Sequence, residues 1–198
     1  MLRLVSLLAA TGYVASVHVN IETDVVSIDS PSIEGMHTFD IYAQISHPAT
    51  LYAVFGDETR PMFLPAAYQV TDPMSNDVGV PPEFLMTILP EIEVDSFITI
   101  GENDNDQVAS VGIDWNTWSV RSSLSVTDGA VFYMSPENAP SGKVRLGRIT
   151  TRDKRPVVIS LQGRNGIKPD ATSGRTPSWS DSVSFALEPA TSAIDVGH

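Results

Sequence analysis

The chain has no cysteine among its 198 residues, which excludes disulfides, thiol nucleophiles and thiolate metal sites. It has no Asn-x-Ser/Thr sequon, so no N-glycan is implied. Positive charge is scarce: 12 Lys and Arg face 24 Asp and Glu, a net of −12. A polyanion such as nucleic acid is repelled by such a surface rather than recruited to it. After the first sixteen residues no apolar run is long enough to cross a bilayer, so no membrane insertion of the mature chain is expected. The four histidines, His18, His37, His47 and His198, are scattered without ligand spacing, which speaks against zinc. Neither a Gly-x-Ser-x-Gly elbow nor a Ser-x-x-Lys motif occurs.

What is present begins with an export signal. Arg3 supplies the positive start and Leu4 to Ala15 the apolar stretch, with Val14 and Ser16 as small residues before a cut ahead of Val17. The expected organisation is a signal peptide over 1–16, a single β-sandwich domain over 17–188 and a flexible tail over 189–198. The destination is extracellular, or another compartment of the secretory pathway.

The mature chain alternates. Val17 to Ile28 and Thr38 to Ile45 place apolar residues at every second position, the period of a half-buried strand. Glu91 to Ile100 does the same, with Ile92, Val94, Ser96, Ile98 and Ile100 on one side, until Gly101 and an Asn/Asp run force a turn. Further short strands are expected at 51–55, 108–114, 117–120, 130–134, 144–151, 157–163 and 183–187. The segments 144–151 and 157–163 read as a pair joined by Arg152-Asp153-Lys154-Arg155. Residues 59–90 differ: they hold six of the fourteen prolines, and Phe84, Leu85, Ile88 and Leu89 recur at helical spacing after Pro82. About ten strands with turn signals between them and one short helix predict an all-β fold, an antiparallel sandwich or flattened barrel.

Charge is unevenly spread along this pattern. Residues 1–142 carry 19 acids and 3 bases, whereas 143–175 carry 9 bases and 2 acids. Lys143, Arg145, Arg148, Arg152, Lys154 and Arg155 lead the basic block. They serve either as cross-strand partners for neighbouring acids or as one half of a two-signed surface through which copies self-associate.

Two ligand chemistries have candidate residues. Glu102, Asp104, Asp106 and Asp114 offer the hard oxygens that calcium prefers, although the EF-hand glycine and glutamate are missing. Calcium is the only cofactor for which the sequence offers a site. Trp115, Trp118 and Trp179 offer the flat rings on which a pyranose stacks. Trp179 also reads as a ring that caps the core ahead of the last strand. Asp57, Glu58, Glu91, Glu93, Asp95 and Asp114 could furnish a glycosidase pair, but their spacing selects no two.

Several phrases accumulate: Leu51-Tyr52-Ala53-Val54-Phe55-Gly56-Asp57, Asp95-Ser96-Phe97-Ile98-Thr99-Ile100-Gly101, Gly112-Ile113-Asp114-Trp115, Asp128-Gly129-Ala130-Val131-Phe132-Tyr133 and Leu161-Gln162-Gly163-Arg164-Asn165. Together, over about residues 38–188, they resemble a secreted β-rich module of marine microalgal proteins and of large surface proteins of aquatic bacteria. The resemblance implies secretion and a β-rich fold, and it brings no catalytic residues. A more remote likeness is to the self-assembling shell proteins around algal pyrenoids.

The sequence therefore predicts a non-catalytic exported β-sandwich for extracellular structure or adhesion, partnered by itself or by other extracellular proteins and glycans. The alternative is a carbohydrate-binding module, with or without calcium. A glycan-active enzyme comes third.

Overall fold

A computed structural model describes residues 17–28, 30–71, 76–102, 107–166 and 177–189. The predicted signal segment, Asp104, Asp106 and the last nine residues of the chain lie outside that set. The strands in chain order are β1 (Val19–Val26), β2 (His37–Ile45), β3 (Ala53–Gly56), β4 (Met62–Leu64), β5 (Phe97–Ile98), β6 (Val108–Val111), β7 (Leu124–Val126), β8 (Gly129–Tyr133), β9 (Gly142–Thr151), β10 (Val157–Arg164) and β11 (Ser178–Phe185). One helix, α1 (Glu83–Ile88), stands between β4 and β5. No described helix is long and apolar enough to cross a membrane.

The fold is the predicted antiparallel sandwich. One sheet has the order β1-β2-β9-β5, and the other runs β6-β8-β3-β10-β4-β7 with β11 on the free edge of β10. Both β3 and β4 pair with β10, at Ser160 to Gln162 and at Val158 respectively, because the chain turns between them at Asp57–Arg60 and returns to the same strand. Between the sheets lie Phe39, Ile41, Ala43 and Ile45 of β2, Val144, Leu146 and Ile149 of β9, and Val54, Val131 and Leu161 from the opposite layer. Burying each large aliphatic or aromatic side chain stabilises the fold by roughly 1.5–3 kcal/mol, so this layer dominates.

Three sequence expectations are corrected. The 91–100 stretch is not one strand: Pro90–Val94 is a 3-10 turn, and only Phe97–Ile98 pairs as β5. Proline at the first position of that turn fixes φ and favours helical entry over extension. The segments 144–151 and 157–163 are not partners either, since β9 and β10 belong to different sheets and the 152–155 turn crosses the sandwich. Finally, 117–120 is no strand, because Trp115–Thr117 closes a 3-10 turn and only an isolated bridge joins Ser119 to Ser122. The helix falls where Pro82 predicts it and buries Leu85, while Phe84 and Ile88 stay exposed.

Part of the outer face of the four-stranded sheet, around Thr38, Asp40, Arg148 and Thr150, is covered. Ile92 and Val94 are buried there but do not join the central core. The Pro90–Val94 turn is fastened to the sheet by Arg148, whose Nη1 donates to Glu93 O. A β-bulge in β9 sets the chemistry below it: Ile41 pairs with Gly147 but Tyr42 pairs with Arg145, leaving Leu146 as the extra residue.

Candidate functional site: a tryptophan pocket beside the 65–80 connection

After β6 the chain turns tightly. Thr117 donates its hydroxyl to Asp114 O (2.7 Å), and Trp118 N–H reaches Trp115 O (2.9 Å). This turn brings the two indoles to 6.0 Å between ring centroids at 47°. Trp118 is buried, and its Nε1 donates to Pro65 O (2.8 Å), so its edge is committed to the core. Trp115 is half-buried, with Nε1 donating to Ser110 Oγ (3.0 Å). Its indole N–H is thus satisfied inside the protein, as a buried-edge tryptophan requires.

The proline-rich connection completes the site. Ala67 N–H donates to Ser119 O (3.0 Å), Val70 N–H to Asp95 Oδ1 (2.8 Å) and Ile98 N–H to Asp77 O (2.9 Å), which brings residues 67–71 and Asp77 alongside the tryptophan turn. Between them opens a pocket of about 410 Å3, lined by Trp115 and Trp118 together with Gln69, Asp77, Asn116 and Ser119. With its amide nitrogen facing acceptors, Gln69 donates to Asp77 Oδ1 (3.0 Å) and Ser96 O (3.1 Å). Burial pushes the Asp77 carboxyl above the ordinary aspartate value, and among the described residues no cation pairs with it. An aromatic wall, a carboxylate and two amides in one concavity can take the apolar face of a ring and the hydroxyls around it.

Of the three sequence candidates, Trp115 and Trp118 meet here. Trp179 does not line the pocket: it packs on Gly163, its cross-strand partner, and its Nε1 donates to Thr50 O (3.0 Å). Gln69 and Asp77 were invisible in the sequence, since they sit in a connection without periodicity, and only the fold carries them to the tryptophans.

The calcium candidates do not converge among the described residues. Glu102 pairs with Arg145 (3.1 Å), and Asp114 Oδ1 accepts from Asn116 (3.2 Å). Asp104 and Asp106 lie outside the described residues, within which no group of three His, Cys, Asp or Glu could hold a metal ion. Two of the candidate catalytic acids are committed to the fold. Asp95 is buried and accepts from Val70 and Ser96 N–H groups. Asp57 caps its own turn: hydrogen bonds from Thr59 and Arg60 hold it at about 2.

The basic block divides in two. Arg145 and Arg148 are buried and close on Asp40 (2.7 Å each) on the outer face of the four-stranded sheet. Lys143 sits over the Tyr42 ring (4.3 Å to its centroid) and pairs with Glu22 (3.2 Å) and Asp24 (3.5 Å) across β2. Arg155 folds back on Asp153, whereas Arg152 and Lys154 make no ion pair among the described residues. These pairs follow the cross-strand alternative for Lys143, Arg145 and Arg148.

Comparison of the chain with protein-family models, with curated proteins and with solved structures returned no match, so the functional reading rests on this geometry alone.

Proposed function

We propose that this protein is a non-catalytic exported β-sandwich of extracellular structure or adhesion, and that its binding function is carbohydrate recognition in the Trp115 pocket. The observation that carries the reading is the half-buried Trp115 ring lining one concavity with the Gln69 and Asn116 amides and with Asp77, partly buried and without a cation partner among the described residues. A pyranose needs both an apolar wall and acceptors for its hydroxyl groups, and each is within one concavity. A glycan array read with wild type, Trp115→Ala and Asp77→Asn tests it. Binding to a defined set of glycans, lost in both variants while Tm is retained, supports the reading; an array without hits ends it. Repeating the array with a chelator separates a calcium-assisted mode from a metal-free one.

Self-association is the second reading, favoured by the two long sheet edges rather than by charge. β1 and β11, eight residues each, are edge strands whose interiors contain no Lys, Pro or Gly. Natural edges are normally blunted by such residues. Light scattering distinguishes the routes: edge pairing persists at high salt, whereas assembly through the basic block weakens as charges are screened. Val25→Lys puts a charge on the exposed core-side row of β1 and should abolish edge pairing. A monomer at all concentrations and salts removes both routes.

A further inference from the structure

We infer that a second site, separate from the Trp115 pocket, binds a small oxyanion-bearing ligand (carboxylate, sulfate ester or phosphate ester) in the cavity between the β9–β10 turn and the segment after β11. The cavity measures about 380 Å3. Its floor is apolar, made by Phe39 and Leu187, both nearly inaccessible. Its rim is cationic or hydrogen-bonding: Arg152 and Lys154 from the turn, and His37, which β2–β9 pairing sets opposite Thr151.

The charge pattern selects this place. Of the nine Lys and Arg among the described residues, five (Arg60, Lys143, Arg145, Arg148 and Arg155) lie within ion-pair distance of a carboxylate. In a chain with net charge −12 an unpaired cation is therefore the exception, and two of the four exceptions line this one cavity. Among the described residues Arg152 donates to the carbonyl of Glu34 alone (3.2 Å), and Lys154 makes no ion pair. Asp153, although it also faces the cavity, is neutralised locally. Its oxygens accept from Arg155 (2.9 Å from Nε) and from Ala66 N–H (3.2 Å). Glu188, exposed at the rim, is the competing charge.

Two like charges held at one rim and outnumbering the single free carboxylate there, Glu188, repel each other, and an anion between them relieves that repulsion. The guanidinium can grip two oxygens at once while the lysine supplies a point charge. The volume is that of a monosaccharide-sized ligand, whose apolar face can rest on Phe39 and Leu187. An acidic or esterified sugar has both halves.

Calorimetric titration with glucuronate, glucose 6-sulfate, glucose 6-phosphate and uncharged glucose tests the site. At least one anionic sugar should bind, more weakly as salt rises, and the one preferred identifies the oxyanion. Arg152→Gln and Lys154→Gln should each weaken it roughly tenfold, and Glu188→Gln should tighten it. Trp115→Ala should leave this binding unchanged, which keeps its outcome distinct from that of the glycan pocket. Three results overturn the inference: equal heats from glucose and the anionic sugars, no binding of any up to about 10 mM, or unchanged affinity in the double Arg152→Gln, Lys154→Gln variant. The side chains of Arg152, Lys154 and Glu188 are exposed, so these variants keep the fold, and an unaltered Tm verifies it.

Discussion

Arg145 and Arg148 stand three residues apart on one strand, yet both guanidiniums reach the same carboxylate, Asp40. On a regular strand positions three apart face opposite sides. The extra residue at Leu146 shifts the alternation by one, so Arg145 and Arg148 share the outer face while Val144, Leu146 and Ile149 all keep to the core. Gly147 makes the bulge affordable in space, because a Cβ there would stand 2.2 Å from Phe97 O.

Removing Asp40 leaves the buried Arg148 without a carboxylate partner among the described residues and Arg145 with Glu102 alone. Breaking one side of a buried ionic group typically costs about 3–5 kcal/mol, so Asp40→Ala should lower stability by about that much in urea denaturation. Lys143→Ala, at an exposed pair, should change the urea midpoint little. Equal, small effects from both would mean the Asp40 cluster is solvated.

Acid should unfold the protein through the same group. Burial alone would raise the Asp40 carboxyl, but its hydrogen bonds to Arg148 and the charges of Arg148 and Arg145 outweigh it and hold the group below 3.8. A depressed carboxyl contributes stability fully above its unfolded pKa and loses it as pH falls through the folded value. Asp153, held at about 2 chiefly by the Arg155 hydrogen bonds, acts in the same direction. Asp77 acts oppositely, since its raised carboxyl favours the folded state at low pH and loses that contribution as pH rises through its folded value. The urea midpoint should hold above about pH 5 and fall from about pH 4 towards pH 2. Asp40→Asn should flatten that fall, and an equally steep decline in the variant would assign it elsewhere.

Gly163→Ala should be poorly tolerated. A Cβ there would lie 1.7 Å from Thr50 O and 2.5 Å from Trp179 Nε1, so backbone or indole must move. Overpacking of this kind costs about 1–3 kcal/mol. Calorimetric melting, with tryptophan fluorescence following Trp179, would show it. An unchanged Tm would mean that β11 is free to shift.

The two tryptophans of the pocket should separate stability from binding. Trp118→Ala removes a buried ring and strands Pro65 O, for a cost of about 3–5 kcal/mol. Trp115→Ala should cost distinctly less while removing glycan binding. Comparable melting losses in both would make Trp115 a core residue.

Strand identity was legible wherever apolar and polar side chains alternate along the chain. The alternation of Phe39, Ile41, Ala43 and Ile45 reads directly as β2, and all four point into the core. It misled at 91–100 because residues 94–100 are buried on both sides, and the proline-led turn at Pro90–Val94 mimics the alternation of a strand. The bulge at Leu146 was hidden for a related reason: Arg-Leu-Gly-Arg contains the shift, but a break in parity shows only against a pairing partner. The pocket was half legible. Tryptophans announce themselves by type, whereas Gln69 and Asp77 gain meaning only when the fold sets them beside Trp115.

The close, tilted approach of Trp115 to Trp118 gives the molecule an optical reporter of its own. One indole looks into the cavity and the other is sealed below it, so an occupant would perturb their mutual coupling in the near-ultraviolet circular dichroism without any attached dye.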